Sequence, residues 1–186
     1  MTLEKILYSQ GFGSRRQCRQ LIWNERVSVG GRLITDADED LPCEGLVFSV
    51  EGKEWTFRQQ LYIALHKPPD YECSRKPSHH PGILTLLPRE YVNRNTQPVG
   101  RLDHDTTGLL LLSDDGGFIH AQSSPKRHVL KTYEVTLFEA ATAQLVTRLQ
   151  EGVKLIDEDK PIAAQVRSLD THLPVSYTHL RAHETG

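Results

Sequence analysis

The charge of the chain reverses near residue 35, and this reversal divides the first 54 residues into two segments of different character. Residues 1–35 contain six basic and two acidic residues, whereas residues 36–54 contain seven acidic residues and one basic residue, Lys53. The whole chain of 186 residues has 22 Lys and Arg against 24 Asp and Glu, so its net charge of -2 excludes no class of partner. At roughly 150 residues per domain, this length suits a small basic module joined to a larger domain.

Two helices and a hairpin are predicted within residues 1–35. The apolar residues at helical spacing are Leu3, Ile6 and Leu7 in the first helix and Cys18, Leu21 and Ile22 in the second. Gly-Phe-Gly at 11–13 ends the first helix, and Ser14 with Gln17 predicts a capping box for the second. Alternation over residues 27–29 and a following Gly-Gly pair predict two strands joined by a tight turn.

Basic side chains gather on one face of the second predicted helix. Arg15, Arg16 and Arg19 fall with Trp23 in a sector of about 100° beside the apolar stripe. Arginines near a capped helix N-terminus combine side-chain charge with free backbone N–H groups, an arrangement that suits RNA phosphates. The predicted RNA-binding residues are Arg15, Arg16, Arg19, Arg26 and Arg32. The alternative is an ordinary solvated face.

The segment from residue 3 to residue 34, LEKILYSQGFGSRRQCRQLIWNERVSVGGRLI, resembles the S4 RNA-binding domain. This resemblance implies two helices packed on a hairpin and a function in RNA recognition. It does not identify an activity, because S4 modules occur in ribosomal proteins, tRNA synthetases and RNA-modifying enzymes. We assign residues 1–48 to the S4 domain and residues 49–60 to a linker.

A second domain with both strands and helices is predicted from residue 61. Residues 61–67 alternate as a strand, residues 132–137 alternate again, and Leu145, Val146 and Leu149 indicate an amphipathic helix that ends at Gly152. The stretch from Pro69 to Pro98 is rich in Pro, His and Asn, which predicts long loops. The expected fold class is therefore α+β.

The run QPVGRLDHDTTGLLLLSDDG, from Gln97 to Gly116, joins a polar loop to an apolar strand. One interpretation makes Arg101 and Asp103 a surface ion pair, with Asp103 and Asp105 capping a turn. A second compares the D-x-D-x-T match with haloacid-dehalogenase-type phosphatases, but their signature follows a buried strand. The polar, proline-containing residues 95–101 do not fit such a strand.

A third interpretation is a resemblance, across residues 1–173, to the RsuA-type family of pseudouridine synthases. The family block G-R-L-D-x-D-T-x-G-L-L-L stands at Gly100 to Leu111, and the block S-P-x-x-x-x-x-K-T-Y stands at Ser124 to Tyr133. His66 replaces the first residue of the family's N-K-P, and Asp70 replaces a nearby glycine. The family's third basic block would lie beyond Leu173.

This resemblance implies an enzyme that isomerises a uridine in ribosomal RNA, most similar to those acting on the small subunit. Asp103 is the expected catalytic residue, either attacking C1′ of the ribose or removing a proton from C2′. Arg101, Lys131 and Tyr133 are expected to support the site, Arg101 by favouring the ionised carboxylate and Tyr133 by stacking on the base. A non-catalytic S4-type RNA-binding protein is the rival.

No metal or other cofactor is expected, because the isomerisation requires none and no H-x-x-x-H or mixed Cys/His spacing occurs. His104 occupies a variable position of the family block and is expected to point away from the chemistry.

The expected partner is ribosomal RNA or a pre-ribosomal particle. With no signal peptide and no apolar run of about 20 residues, we expect a cytoplasmic protein without a membrane span. We also expect a monomer.

The last residues, 174–186, read PVSYTHLRAHETG and show no apolar periodicity. They resemble a translated adapter from a DNA sequencing library, so we expect a non-native tail; the alternative is a natural disordered tail. The catalytic domain, residues 61–173, is then expected to be truncated. A sheet without its last strands would leave an open edge, which predicts low stability or activity.

Overall fold

The computed structural model of the protein describes residues 1–124, 132–135, 137, 141–154, 163–170 and 173–178. The chain divides into two compact units, Met1–Arg127 and His128–Gly186. Both units contain helices and strands, which confirms the predicted α+β class. Among the helices within these described ranges, none is long and apolar enough to cross a membrane.

The first unit begins with two helices packed on a four-stranded antiparallel sheet. The helices are α1 (Leu3–Ser9) and α2 (Arg15–Trp23); the strands are β1 (Val27–Val29), β2 (Arg32–Leu33), β3 (Val47–Val50) and β4 (Lys53–Thr56), in the order β2-β1-β3-β4. The predicted capping box is present, because the Gln17 N–H donates to Ser14 Oγ and the Ser14 N–H donates to Gln17 Oε1 at 2.8 Å. Gly30 and Gly31 have φ values of 55° and 78°, as a tight hairpin turn requires.

Residues 49–56 belong to this sheet and not to a linker, which corrects the predicted boundary after residue 48. β3 pairs antiparallel with both β1 and β4. Phe48 and Val50 are 1% and 6% exposed because alternate side chains of β3 join the apolar cluster of α1 and α2. The acidic side chains Glu51 and Glu54 lie on the exposed turn and on β4, so composition alone made this hairpin look like a linker.

A three-stranded antiparallel sheet follows in the same unit. Its strands are β5 (Tyr62–Lys67), β6 (Gln97–Pro98) and β7 (Gly108–Ser113), in the order β5-β7-β6. The strand predicted at 61–67 is confirmed. The stretch expected to form only long loops contains a 3-10 helix, Ile83–Leu86, and α3, Arg89–Asn93. The difference arises because Ile83 packs with Leu110 and Leu112 of β7, and this burial orders the connection. Helix α4 (Gly116–Ser123) follows β7.

The N-terminal module contacts the second sheet next to α3, within the first unit. The Arg94 guanidinium donates to Asp114 Oδ2 at 2.7 Å and to Gln10 Oε1 at 2.8 Å. The Asn93 side-chain amide donates to the carbonyl oxygen of Gly11 at 2.7 Å. The side chains of Arg94 and Asp114 are only 4% and 11% exposed, so this ion pair is largely removed from water.

Gly11, two residues after the end of α1, lies where no side chain fits. Its φ is 85°, a value that favours glycine, and a Cβ atom there would lie 2.0 Å from the carbonyl oxygen of Glu90 in α3. The N-terminal module and α3 therefore meet through their backbones.

The second unit contains one helix and a three-stranded sheet among its described residues. The elements are β8 (Thr132–Val135), α5 (Ala143–Glu151), β9 (Gln165–Asp170) and β10 (Leu173–Thr178), with the strand order β8-β10-β9. The predicted strand from residue 132 and the helix ending at Gly152 are confirmed.

Strand β10 crosses the predicted end of the catalytic domain at residue 173. Val175 stands opposite Val135 of β8 on one side and Ser168 of β9 on the other. Strand pairing joins backbone groups, so a segment without apolar periodicity can still form a central strand. Residue 173 is therefore not a structural boundary. The foreign origin of residues 174–186 stays a prediction, and residues 179–186 lie outside the described ranges.

Candidate active site

The acidic loop predicted to carry the chemistry, residues 99–107, connects β6 to β7. At its start, the Val99 N–H donates to the carbonyl oxygen of Leu111 at 2.7 Å, which ties the loop to the sheet. In its middle, the Thr106 N–H donates to the carbonyl oxygen of Asp103 at 3.1 Å and closes a turn. The loop is thus anchored to a rigid strand, and Asp103 lies at the turn.

Lys67, the last residue of β5, supports this loop from inside the protein. The side chain is fully buried, and Nζ donates to the carbonyl oxygens of Pro68 at 3.0 Å, His104 at 2.8 Å and Thr106 at 2.8 Å. An ammonium group has three N–H donors, so the buried charge is fully hydrogen-bonded. Our sequence analysis assigned no role to Lys67. The sequence did contain one sign of such a role: in the alternating pattern of β5, Lys67 occupies a position whose side chain points into the protein.

The carboxylates of Asp103 and Asp105 are both exposed. Neither accepts a hydrogen bond from the part of the chain that the structure describes, so their side chains do not cap the turn. Arg101 is exposed as well, and within the same described part it forms no ion pair with Asp103. The oxygens of Asp103 are therefore available to a ligand.

Arg101 and Asp103 line a cavity of about 610 Å³. Its walls come from the acidic loop and from the segment after β5; they include Glu72, His79, His80, Arg101, Asp103 and His104. Cavities of this size hold small organic groups, and a nucleobase falls within that class. The structure thus brings two of the four predicted catalytic and supporting residues to one cavity.

Glu72 organises the other wall of the cavity. Its carboxylate accepts backbone N–H groups from His79 at 2.8 Å, His80 at 2.8 Å and Ser78 at 3.1 Å. These bonds stabilise the ionised carboxylate and lower the pKa of Glu72 from 4.5 to about 2, and the bond from His79 contributes most. The carboxylate of Glu72 therefore fixes the backbone of residues 78–80. Sequence analysis did not single out this residue.

His104 does not point away from the chemistry, which corrects the expectation from the family block. It lines the same cavity as Asp103, and its ring stacks on His80 with centroids 4.4 Å apart. The carboxylate of Asp70 lies nearby, and ligand atoms of Asp70, His80 and His104 all lie within 4.8 Å of one another. These three side chains could hold a metal ion, although no local spacing predicted one.

Three of the predicted RNA-binding arginines are paired with acids of their own module, and two of these three share the partner Glu4. Arg15 and Arg19 contact the carboxylate of Glu4 at 3.2 and 2.7 Å, and Arg19 also contacts Asp38 at 3.0 Å. Glu4 is only 5% exposed, and the two guanidinium groups are its described ion-pair partners. Arg15 and Arg19 therefore have a structural role as well.

Arg16, Arg26 and Arg32, like Arg15, are exposed. Arg32 pairs with Glu39. Arg16 and Arg26 have no acidic partner in the part of the chain that the structure describes. Trp23 at the end of α2 is exposed as well. Among the five predicted arginines, Arg16 and Arg26 are therefore the two whose guanidinium groups have no acidic partner in the described residues.

The remaining predicted support residues belong to the second unit. Tyr133 lies on β8, is exposed, and stands in register with Tyr177 of β10. Lys131 lies outside the described residues. The roles of Tyr133 and Lys131 stay predictions.

Comparison with known proteins matches both parts of the chain. Residues 61–184 match the family described as RNA pseudouridylate synthase, and residues 1–44 match the S4 domain. The chain is 31% identical to an uncharacterized RNA pseudouridine synthase of Bacillus subtilis, covering 95% of this chain and 75% of that protein.

Two further relatives and one solved structure are similar over most of the chain. The ribosomal small subunit pseudouridine synthase A of Vibrio parahaemolyticus is 35% identical over 85% of this chain and 67% of its own length. The ribosomal large subunit pseudouridine synthase B of Bacillus subtilis is 30% identical over 98% and 74%. A crystal structure of a pseudouridylate synthase superposes with a TM-score of 0.54 at 29% identity, covering 96% of this chain and 76% of that one.

Proposed function

The chain belongs to the RNA pseudouridylate synthase family, and from this premise we propose that it converts a uridine of ribosomal RNA to pseudouridine. The observation that carries the proposal is the exposed carboxylate of Asp103, held on an anchored loop in a cavity of about 610 Å³. A group that reacts with substrate must be positioned by its backbone and left free at its side chain, and Asp103 meets both conditions.

The reaction breaks the bond between N1 of uracil and C1′ of the ribose and joins C1′ to C5 of the same base. The proton on C5 is lost and N1 gains one, so substrate and product are isomers and no electrons are exchanged. We propose that Asp103 starts the reaction, either by attacking C1′ or by removing the proton from C2′. Neither route requires a redox cofactor or ATP.

Arg101 is proposed to stabilise the charge of this site. Its guanidinium lines the cavity with Asp103 and is not committed to another described acid. A uridine must leave its stack to enter the cavity, and the flipped base would displace water from Asp103. In that less polar surrounding, a neighbouring guanidinium favours the ionised carboxylate. Tyr133 and Lys131 are proposed to assist by stacking and by charge.

The N-terminal module is proposed to hold the RNA while the cavity receives the target base. Exposed Arg16 and Arg26 supply positive charge for phosphates. The hydrogen bonds of Arg94 keep this module against the sheet that carries the acidic loop. We propose small-subunit RNA as the substrate, since the Vibrio small-subunit relative is 35% identical and the Bacillus large-subunit relative 30%.

The test compares Asp103→Asn with Asp105→Asn in assays on small-subunit and large-subunit RNA. Tritium release from 5-tritiated uridine should fall by several orders of magnitude in Asp103→Asn, because the nucleophilic or basic oxygen is lost. Asp105→Asn is the matched control, since Asp105 shares the loop, the exposure and the lack of described hydrogen bonds. It should retain most activity.

Substantial turnover by Asp103→Asn would remove this residue from the reaction. A wild-type protein that binds RNA but releases no tritium would instead support the rival, a non-catalytic S4-type RNA-binding protein.

A further inference from the structure

Three potential metal ligands converge beside the cavity, from positions far apart in the sequence. Asp70 follows β5, His80 lies in the segment buttressed by Glu72, and His104 belongs to the acidic loop. One carboxylate oxygen and two imidazole nitrogens from these residues lie within 4.8 Å of one another. None of the three residues has a role in the proposed isomerisation.

The backbone of each of these residues is fixed by hydrogen bonds. The Asp70 N–H donates to the carbonyl oxygen of His104 at 2.8 Å, which joins two of the positions directly. That same carbonyl accepts from the buried ammonium of Lys67 at 2.8 Å. The His80 N–H donates to Glu72 at 2.8 Å. The backbone positions of the three residues are therefore fixed before an ion binds, which reduces the conformational entropy lost on binding.

The chemical types of these three ligand groups indicate which class of metal ion they would bind. Two imidazoles and one carboxylate suit zinc and similar divalent transition metals, whereas calcium and magnesium require mainly oxygen ligands. At metal–ligand distances of about 2.1 Å, tetrahedral ligand atoms lie about 3.4 Å apart. The present separations of up to 4.8 Å exceed that value, so the three side chains would have to move closer together on binding an ion.

We propose that Asp70, His80 and His104 form a binding site for a divalent transition-metal ion of the zinc class. The ion would link the segment after β5 to the acidic loop, at the edge of the cavity that holds Asp103. Stacking of two histidine rings without any ion is the competing explanation for the 4.4 Å contact. The proposal does not depend on the isomerase activity, because binding is measured without RNA.

The experiment titrates the full chain, freed of metal by a chelator, with Co²⁺ followed by visible absorption and with Zn²⁺ followed by calorimetry. We expect a site of one ion per chain whose affinity falls roughly tenfold or more in His80→Asn, in His104→Asn and in Asp70→Asn. Asn is chosen at residue 70 because its φ is 63°, a conformation that Asn tolerates.

His79→Asn is the matched control. His79 adjoins His80 and lines the same cavity, but it does not belong to the cluster of three ligands. It should leave the affinity unchanged, and thermal unfolding without metal should show that all variants fold. Equal affinities for the wild-type chain and the three ligand variants, or an equal loss in His79→Asn, would overturn the proposal.

Discussion

Lys67 is the residue whose removal most directly tests how the acidic loop is held. Lys67→Met keeps the length of the side chain but removes the ammonium donor from the carbonyl oxygens of Pro68, His104 and Thr106; the His104 carbonyl keeps the Asp70 N–H. The loss of three hydrogen bonds to a charged donor is costly, so we expect the free energy of unfolding to fall by about 2 to 4 kcal/mol, measured by urea denaturation. Lys76→Met, at an exposed lysine, should change it little. Equal stability of the two variants would contradict this role.

Glu72 should make stability depend on pH in the acid range. Because three backbone N–H bonds lower its pKa from 4.5 to about 2, the ionised carboxylate stabilises the folded state above pH 4.5. This contribution is lost as the pH falls from 4.5 toward 2. The difference in unfolding free energy between wild type and Glu72→Gln should therefore be constant near neutral pH and shrink below pH 4.5.

The measurement is a series of urea denaturations at decreasing pH. Glu44→Gln is the control, because Glu44 is exposed and has no hydrogen-bond partner among the described residues. It should reproduce the wild-type profile. A difference between wild type and Glu72→Gln that stays constant through the acid range would exclude this explanation.

At the scale of elements, the structure separates the arginines around α2 by their partners. Arg16 and Arg26 lack acidic partners within the described ranges, whereas Arg32 is neutralised by Glu39. We expect the double variant Arg16→Ala, Arg26→Ala to weaken RNA binding and to lower the salt slope by about 0.7 to 0.9 for each lost phosphate contact. The measurement is affinity at several salt concentrations.

Arg32→Ala is the matched control for that experiment. Its loss removes a charge that Glu39 already compensates, so affinity and salt slope should change less. If Arg32→Ala lowers the slope as much as the double variant, the RNA contacts the whole basic surface and not its unpaired part.

Elements with strong local signals were predictable from sequence. The Ser14 capping box, the Gly30-Gly31 turn and the strand at 61–67 depend on neighbours within a few residues, and all three are confirmed. The hairpin of β3 and β4 was missed because the charged residues in its sequence suggested an exposed linker, although Phe48 and Val50 of β3 are buried. When a strand is buried on one face only, polar and apolar residues alternate along it, so its average composition does not show which side chains are buried.

The candidate site was predictable only where its residues share one motif. Arg101 and Asp103 stand in a single block, and the structure places both at the same cavity. Lys67 and the histidine pair were missed because their partners lie 24 to 39 residues away along the chain. Such contacts depend on the folding of three loops onto one another, which spacing within a motif does not encode.

At the scale of the whole molecule, the first unit depends on the ion pair of Arg94 with Asp114. Arg94→Met should lower the free energy of unfolding by about 3 to 5 kcal/mol, because it leaves a largely buried carboxylate unpaired. Adding Asp114→Asn removes that charge and should restore part of the loss. Urea denaturation of both variants and of Arg58→Met, an exposed control, measures the effect. A loss below 1 kcal/mol in Arg94→Met would show that the pair is dispensable.

The absence of a side chain at Gly11 lets the N-terminal module approach the backbone of Glu90 in α3. Backbone atoms approach closely there, and side-chain hydrogen bonds from Asn93 and Arg94 hold the same contact. We therefore expect the N-terminal helices and the sheet that carries Asp103 to tumble in solution as one body, with a single rotational correlation time measured by NMR relaxation. In that case an RNA that touches both Arg16 and Asp103 fits the protein by its own bending. The flexibility of the RNA itself then decides which loops are accepted as substrates.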